Sequence, residues 1–266
     1  MPLPSAFLDH HTATFDWRDR ARAAGVHLGA SVVVALMAAL LVFELWYPYP
    51  YRELSSGREL FMLVVGVDVV LGPLITFAIF DRAKPRASLV RDLACVAFLQ
   101  LVGLSYGIWS VHMARPVHMV FEVDRFRVVH QSDIPVDLEN RAPAGVEVAP
   151  FGGPTLLAVR PFASEKEKYE ATMVALNGIS LSARPDLWQP YEAAKARVLA
   201  AARPVSELRS RFAARAPEIE AALEKSGHDA AHASYLPVVA RKAQAWTVLL
   251  DSSTAEVIGY LPLDSF

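Results

Sequence analysis

The sequence has little of what a disulfide-rich, fibrous or nucleic-acid-binding protein needs. It is 266 residues long and contains one cysteine, Cys95, which excludes a scaffold held together by disulfide bonds. Its 13 glycines follow no triplet repeat, which excludes a collagen-like structure. The 26 lysine and arginine residues nearly balance the 28 aspartate and glutamate residues, so the net charge of −2 gives no reason to expect nucleic acid as a partner.

The local signatures of common enzymes are missing as well. The sequence has no glycine-rich phosphate loop with its lysine, no nucleophile-elbow pattern and no metal-binding pair of cysteines. The nearest candidate for a metal site is Glu224, His228 and His232, which would share one face of a continuous helix. Gly227 interrupts that spacing, and an exposed polar helix end is the alternative. We therefore predict no catalytic residue, no cofactor and no metal, and we predict that the protein is not an enzyme.

Apolar residues are in excess: they make up 53% of the sequence, while charged residues make up 20%. Three apolar runs at 23–43, 60–80 and 93–114 are each long enough to cross a hydrocarbon core, which needs about 20 helical residues. A buried helix bundle is one alternative, and a signal peptide is another for the first run. That run is too long for a signal-peptide core and no small-residue cleavage pattern follows it. We predict three transmembrane helices, at about 23–46, 60–80 and 93–114.

Lysine and arginine in the short flanking loops indicate the orientation, because basic residues resist translocation. The N-terminal segment has three arginines, loop 47–59 has two, and loop 81–92 has four basic residues. The N-terminus and loop 81–92 are therefore predicted to be cytoplasmic, with the three helices in the lipid bilayer and residues after Arg115 on the outer side, which in a Gram-negative cell is the periplasm. The predicted domains are a cytoplasmic tail at 1–22, a three-helix transmembrane region at 23–115 and a periplasmic domain at 116–266.

Four aromatic residues lie within six positions where the first helix should leave the membrane: Trp46, Tyr47, Tyr49 and Tyr51. Amphipathic aromatic rings favour the headgroup layer. We therefore predict an aromatic belt at the outer surface, with Trp109 at the same level near the end of the third helix. The alternative is that these rings pack a loop.

Residues 116–266 show strand patterns, then helix patterns, then strand patterns, which predicts a soluble α+β domain that folds on its own. Residues 117–129 predict a strand or a tight pair of strands, and Ser164 and Glu167 have the spacing of a capping box before a helix at 165–176. The other predicted elements are a strand at 155–160, helices at 190–202, 205–214 and 217–225, and strands at 236–241, 245–250 and 257–261.

Asp68 is the one charged residue in the second hydrophobic run. A carboxylate near the bilayer centre costs about 2.5–3.5 kcal/mol on insertion scales, so Asp68 should face other helices. At helical spacing it shares a face with other small or polar residues, and the third helix has a similar face. We predict a transmembrane helix-docking face formed by Asp68, Gly72, Pro73, Thr76, Gln100, Gly103 and Gly107.

Three roles for this face are open. An Asp68–Gln100 hydrogen bond could hold the bundle together, the face could dock another transmembrane helix, or Asp68 could belong to a proton or ion path. On the first helix, the pairs Gly25 and Gly29, and Ala35 and Ala39, predict further contacts between helices, because small residues let backbones approach.

Several motifs carry a family pattern, among them Leu45-Trp-Tyr-Pro48, Val65-Gly-Val-Asp-Val-Val-Leu-Gly-Pro73 and the segments 20–28, 57–60, 84–85, 114–116 and 121–126. Together they resemble the TfpX/TfpZ-type pilin accessory proteins of type IV pilus systems, also described as FimB-like. The resemblance implies an inner-membrane protein that is needed for, or modulates, assembly of a pilus from its cognate major pilin. It implies no catalytic residues. Before assembly, type IV pilins are held in the membrane by one hydrophobic helix, and such a protein could contact that helix.

We therefore predict a non-enzymatic inner-membrane accessory factor for type IV pilus biogenesis, whose partner is the major type IV pilin or the assembly platform. A membrane-anchored periplasmic ligand sensor is the alternative, although no cytoplasmic output domain is recognisable. A periplasmic hydrolase on a membrane anchor is a third possibility.

Overall fold

The computed structural model describes residues 16–240 and 245–266. Residues 1–15, which form most of the predicted tail 1–22, and Arg241 of the predicted strand 236–241 lie outside the described residues. The chain divides into two compact units. The first comprises the chain up to Ala38 together with Met62–Ile108, and the second comprises Ala39–Phe61 and Trp109–Phe266.

Within the described residues, three helices are long and apolar enough to cross a membrane, as predicted. Helix α1 (Trp17–Leu40) continues into a π-helical stretch, Leu41–Trp46. A short helix α2 (Tyr51–Leu54) precedes α3 (Gly57–Ile79), and α4 (Arg86–Met113) follows. The long helices begin before the predicted positions, because arginine and other polar helix formers extend each helix beyond its apolar run.

The described residues after Arg115 form a mixed sheet of eight strands. They are β1 (Pro116–Glu122), β2 (Arg125–His130), β3 (Thr155–Val159), β4 (Trp188–Pro190), β5 (Arg203–Pro204), β6 (Ala233–Val239), β7 (Ala245–Asp251) and β8 (Val257–Leu261). The order across the sheet is β4-β3-β1-β2-β6-β7-β8, with β5 paired to the start of β6. The β1–β3 and β2–β6 pairs are parallel and the others antiparallel. The predicted strand pair at 117–129 and the closing hairpin are confirmed.

Helices α5 (Glu165–Leu176), α6 (Lys195–Ala201), α7 (Val205–Arg211) and α8 (Ala216–Ser226) complete this unit. Helix α8 ends as predicted at Gly227, whose φ of 72° is left-handed. The helix predicted at 190–202 is shorter than expected. Its first residues form the end of β4, where Pro190 has an extended backbone and pairs with Leu157 of β3, and a 3₁₀ turn, Tyr191–Ala194.

The predicted capping box of α5 forms only in part. The Ser164 hydroxyl accepts a hydrogen bond from the Glu167 amide at 3.1 Å. The Glu167 carboxylate instead accepts from the Ala163 amide at 2.5 Å and from the Arg160 guanidinium at 2.6 Å. The hydrogen bond from Arg160 is the main reason that the pKa of Glu167 falls to about 2.

The prediction of an aromatic belt is wrong for most of its members. Trp46, Tyr47 and Tyr51 are buried, and Tyr49 is half exposed. Tyr47 donates to the main-chain carbonyl of Val111 at 3.1 Å. Tyr51 and Leu54 belong to the core that underlies the sheet, together with Met119, Phe121, Phe126, Leu236 and Val248. The loop between α1 and α3 is therefore part of the second unit's hydrophobic core, which corresponds to the alternative that these rings pack a loop.

Candidate functional site

The first unit is held at one end by contacts of Arg20. Its guanidinium donates to the carbonyl of Ala78 in the last turn of α3 at 2.6 Å and lies 3.6 Å from the Asp81 carboxylate. Beside it, Arg82 pairs with Asp19 at 3.0 Å. These contacts place the start of α1 next to the end of α3. The first turns of α1 and the loop between α3 and α4 therefore lie at the same end of this unit.

At the middle of the helices, Gln100 of α4 contacts Asp68 of α3. The Gln100 side-chain amide donates to the main-chain carbonyl of Asp68 at 3.1 Å. A Cβ at position 72 would overlap this amide, so Gly72 is what admits it. The predicted pair therefore forms, but through the backbone of Asp68. Among the described residues, the Asp68 carboxylate has no hydrogen bond or ion pair.

Thr76 connects α3 to α1. Its hydroxyl lies 2.6 Å from Nδ1 of His27, and its side chain is buried. One turn earlier, Pro73 is buried inside α3 and lacks the amide hydrogen that would bond to the carbonyl of Val69. Thr76 and Pro73 therefore lie on an internal face of the helices.

The predicted glycine contacts divide into two groups. Gly107 is buried, and a Cβ there would overlap the side chain of Val64 of α3. Gly103, Gly25 and Gly29 are exposed, and a Cβ at any of them would meet no described atom within 4 Å. The contact predicted at Gly25 and Gly29 does not form between described residues.

Asp68 lines a groove of about 220 Å³ that lies between the helices of the first unit. Its polar lining comes from His27, Ser31, Asp68 and Gln100, and the rest is small or apolar. The other lining residues are Ala30, Val34, Ala35, Val65, Ala97, Leu101 and Leu104. Asp68 is the twelfth of the 23 residues of α3, so its carboxylate lies at the middle of this span.

The groove contains a hydrogen-bond acceptor, the Asp68 carboxylate, among mostly small or apolar side chains. A carboxylate in such a place is stabilised by a hydrogen-bond donor or a cation, since its desolvation is otherwise uncompensated. A helix that brings a donor to this depth would satisfy it. The docking role predicted for the seven residues of this face stays a prediction, and four of them, Gly72, Thr76, Gln100 and Gly107, already contact other described residues.

The sequence analysis assigned Ala35 of α1 to a contact between helices, and Ala35 lines the groove, but it missed His27 and Ser31 of the same helix. His27, Ser31 and Ala35 recur at intervals of four residues, which places them on one helix face. This four-residue spacing could have identified the groove-lining face from the sequence. The prediction relied in part on Gly25 and Gly29 instead, where an added Cβ would meet no described atom within 4 Å.

Within the part of the chain that the structure describes, no three His, Cys, Asp or Glu side chains are grouped as they would be to hold a metal ion. His228 and His232 follow the end of α8 and do not continue it, because Gly227 turns the chain. His228 lies 3.4 Å from the Asp251 carboxylate, and His232 lies 2.8 Å from that of Asp229.

Comparison with known proteins connects these helices and this sheet to one family. The family described as fimbrial assembly protein FimB matches residues 15–56. The fimbrial assembly protein of serogroup E1 of Dichelobacter nodosus is 34% identical over 234 residues, which cover 88% of this chain and 91% of the relative. The protein of serogroup I is 33% identical with the same coverage.

A third relative, from serogroups C1 and C2 of the same organism, is 38% identical over 117 residues, 44% of this chain and 89% of its own. No solved structure matches the chain. The first two alignments extend over nearly the whole of both partners, so they include the membrane helices and the sheet. On this similarity, the chain belongs to the FimB family of fimbrial assembly proteins.

Proposed function

We propose that this protein is a non-enzymatic accessory factor of type IV pilus biogenesis in the bacterial inner membrane. In this proposal the groove lined by His27, Asp68 and Gln100 binds the transmembrane helix of the cognate major pilin. Membership of a fimbrial assembly family supports the role in pilus biogenesis. The choice of the pilin helix as the partner rests on the groove.

The observation that carries the proposal is the Asp68 carboxylate, which lies in an apolar groove with no hydrogen bond or ion pair to any described residue. Because Gln100 uses the Asp68 backbone, the bundle does not depend on this carboxylate for its internal contacts. Keeping a carboxylate here costs about 2.5–3.5 kcal/mol on insertion scales. A helix that docks with a donor at this depth would recover that cost.

Photo-crosslinking tests the occupant directly. A photoreactive amino acid at Ala97, an exposed residue of α4 that lines the groove, should form an adduct with the major pilin when cells are irradiated. Ala94 is the matched control, because it is an exposed alanine of the same helix outside the groove. An adduct with an assembly-platform protein would replace the pilin as the partner. Equal labelling at both positions, or none at Ala97, would refute docking in the groove.

Substitution of Asp68 tests the role of its carboxylate. Asp68→Leu should leave the protein abundant in the membrane, since it removes a charge and no internal bond, while surface piliation falls. Asp68→Asn keeps the shape and a hydrogen-bonding group and should have the smaller effect. Pili counted by electron microscopy and protein level measured by immunoblot give the two readouts. Normal piliation in both variants at normal protein levels would contradict the docking role.

We also propose the orientation in which the N-terminus is cytoplasmic and residues after Arg115 are periplasmic. The arginines in the first turns of α1 and the basic residues in and after the loop between α3 and α4 support this, and the contacts of Arg20 join the start of α1 to the end of α3. Alkaline phosphatase fused after Phe266 should be active, and a reporter that works only in the cytoplasm should be active within loop 82–91. The opposite pattern would reverse the orientation.

A further inference from the structure

Phe151 is an apolar side chain of the second unit that lies beside the ends of two membrane-spanning helices. It is 57% exposed. Its ring centroid lies 6.0 Å from that of Trp46 and 6.2 Å from that of His112. Trp46 is the last residue of the first candidate span, and His112 is the penultimate residue of the third. Phe151 therefore lies at the level where these helices end.

The lengths of the two helices, compared with the thickness of a bilayer, indicate where their ends lie. The spans Trp17–Trp46 and Arg86–Met113 have 30 and 28 residues. At a rise of about 1.5 Å per residue they measure roughly 42–45 Å, against about 40–45 Å for a bilayer with its headgroups. Both ends therefore reach the headgroup layer, and so does the ring that packs against them.

The loop that carries Phe151 is held in place from both sides. The Arg115 guanidinium, which is buried, donates to the carbonyls of Ala149 and Pro150 at 3.2 Å each. On the other side, a Cβ at Gly153 would lie 3.0 Å from the Pro48 side chain, so glycine lets the loop approach Pro48 closely. The loop therefore packs against the residues that follow the first span.

The composition of the loop indicates what covers it. Residues 148–154 contain no Asp, Glu, Lys or Arg, and the sequence is Val-Ala-Pro-Phe-Gly-Gly-Pro. An uncharged loop with one exposed aromatic residue is suited to the boundary between headgroups and acyl chains, where charged side chains are disfavoured and aromatic ones are enriched.

We propose that loop 148–154 is a membrane foot of the sheet-containing unit, and that Phe151 inserts into the headgroup–acyl boundary of the lipid bilayer. Arg115 acts as a positioning residue for this foot. The foot then combines two helix ends of this unit, at Trp46 and His112, with a loop more than thirty residues after α4. This proposal is independent of whether a pilin helix binds the groove.

Site-specific fluorescence tests the proposal on the full chain in liposomes. In a Cys95→Ala background, single cysteines from Phe151→Cys and Gly152→Cys are labelled with an environment-sensitive dye. Gly152 is a second site in the loop, because a Cβ there meets no described atom within 4 Å. Val136→Cys is the matched control, since Val136 is an apolar residue of the same unit that is 78% exposed and outside the loop.

The expected result is emission shifted to the blue at positions 151 and 152, with strong quenching by lipids that carry a nitroxide near the headgroup and weak quenching by aqueous iodide. The label at 136 should show the reverse. Iodide quenching at 151 and 152 equal to that at 136 would overturn the proposal. A blue shift without nitroxide quenching would also overturn it, because a second copy of the chain would then cover the loop.

Discussion

Leu54 gives the sharpest quantitative prediction, because it lies in a loop between two membrane helices yet is fully buried in the core beneath the sheet. Replacing it with alanine should destabilise the second unit by about 2–5 kcal/mol, the range for a buried leucine that leaves a cavity. For a unit of this size that corresponds to a fall in melting temperature of roughly 4–20 °C.

The free energy of unfolding can be measured on the detergent-solubilised chain by urea titration with pulse proteolysis, reading the intact second unit from a C-terminal tag. Leu176→Ala is the matched control, because Leu176 is 76% exposed; it should change stability by no more than about 0.5 kcal/mol. If Leu54→Ala were as stable as Leu176→Ala, the assignment of the loop to this core would be wrong.

The same reasoning changes the expectation for a fragment of residues 116–266. Such a fragment lacks Tyr51 and Leu54, so its core has an unfilled space where these side chains pack. It should be less stable than the same residues in the full chain, and a peptide of residues 47–56 added to it should raise its urea midpoint. A fragment as stable as the full chain and indifferent to the peptide would contradict this.

Three further substitutions follow from single contacts. Gly72→Leu should lower the amount of protein in the membrane because the new side chain overlaps the Gln100 amide, whereas Gly103→Leu meets no described atom within 4 Å and should leave the amount unchanged on immunoblots. Burial lowers the pKa of His118 from 6.5 to about 4, so as pH falls the unfolded chain is protonated at this residue before the folded chain. The free energy of unfolding should therefore decline by up to about 3 kcal/mol between about pH 6.5 and pH 4. His118→Gln should remove this pH dependence in urea titrations. Gly227→Ala should cost about 1–2 kcal/mol, read from the urea midpoint, because alanine must adopt a left-handed backbone there.

Elements set by local chemistry could be predicted from the sequence. The end of α8 follows from Gly227, and the turn before β8 follows from Asp251, whose carboxylate accepts hydrogen bonds from the amides of Ser253 and Thr254 at 2.8 Å each. Each of these signals lies within a few residues of the structure that it specifies. The closing hairpin was predictable for the same reason.

The parts that escaped prediction depend on distant contacts. Aromatic residues that follow a membrane helix give the same sequence pattern whether their side chains face lipid or fill a protein core. For Tyr51, the core position depends on the distant strands that it packs against. The three-residue strand β4 has no periodicity of its own and exists because β3 offers it an edge. At the candidate site, the contact between Asp68 and Gln100 could be predicted from the sequence. That Gln100 bonds to the main-chain carbonyl of Asp68 and not to its carboxylate could not, because this geometry depends on the close approach that Gly72 permits.

The burial of Leu54 beside Val248 sets an order of events during synthesis. These two members of one core are separated by nearly two hundred residues of chain. At a translation rate of about 5–20 residues per second, the loop that contains Leu54 is made roughly 10–40 s before its last core partner. During that interval Tyr51 and Leu54 lack the strands that complete their core. The loop between two membrane helices therefore acquires its final contacts only after the last strands of the chain have been made.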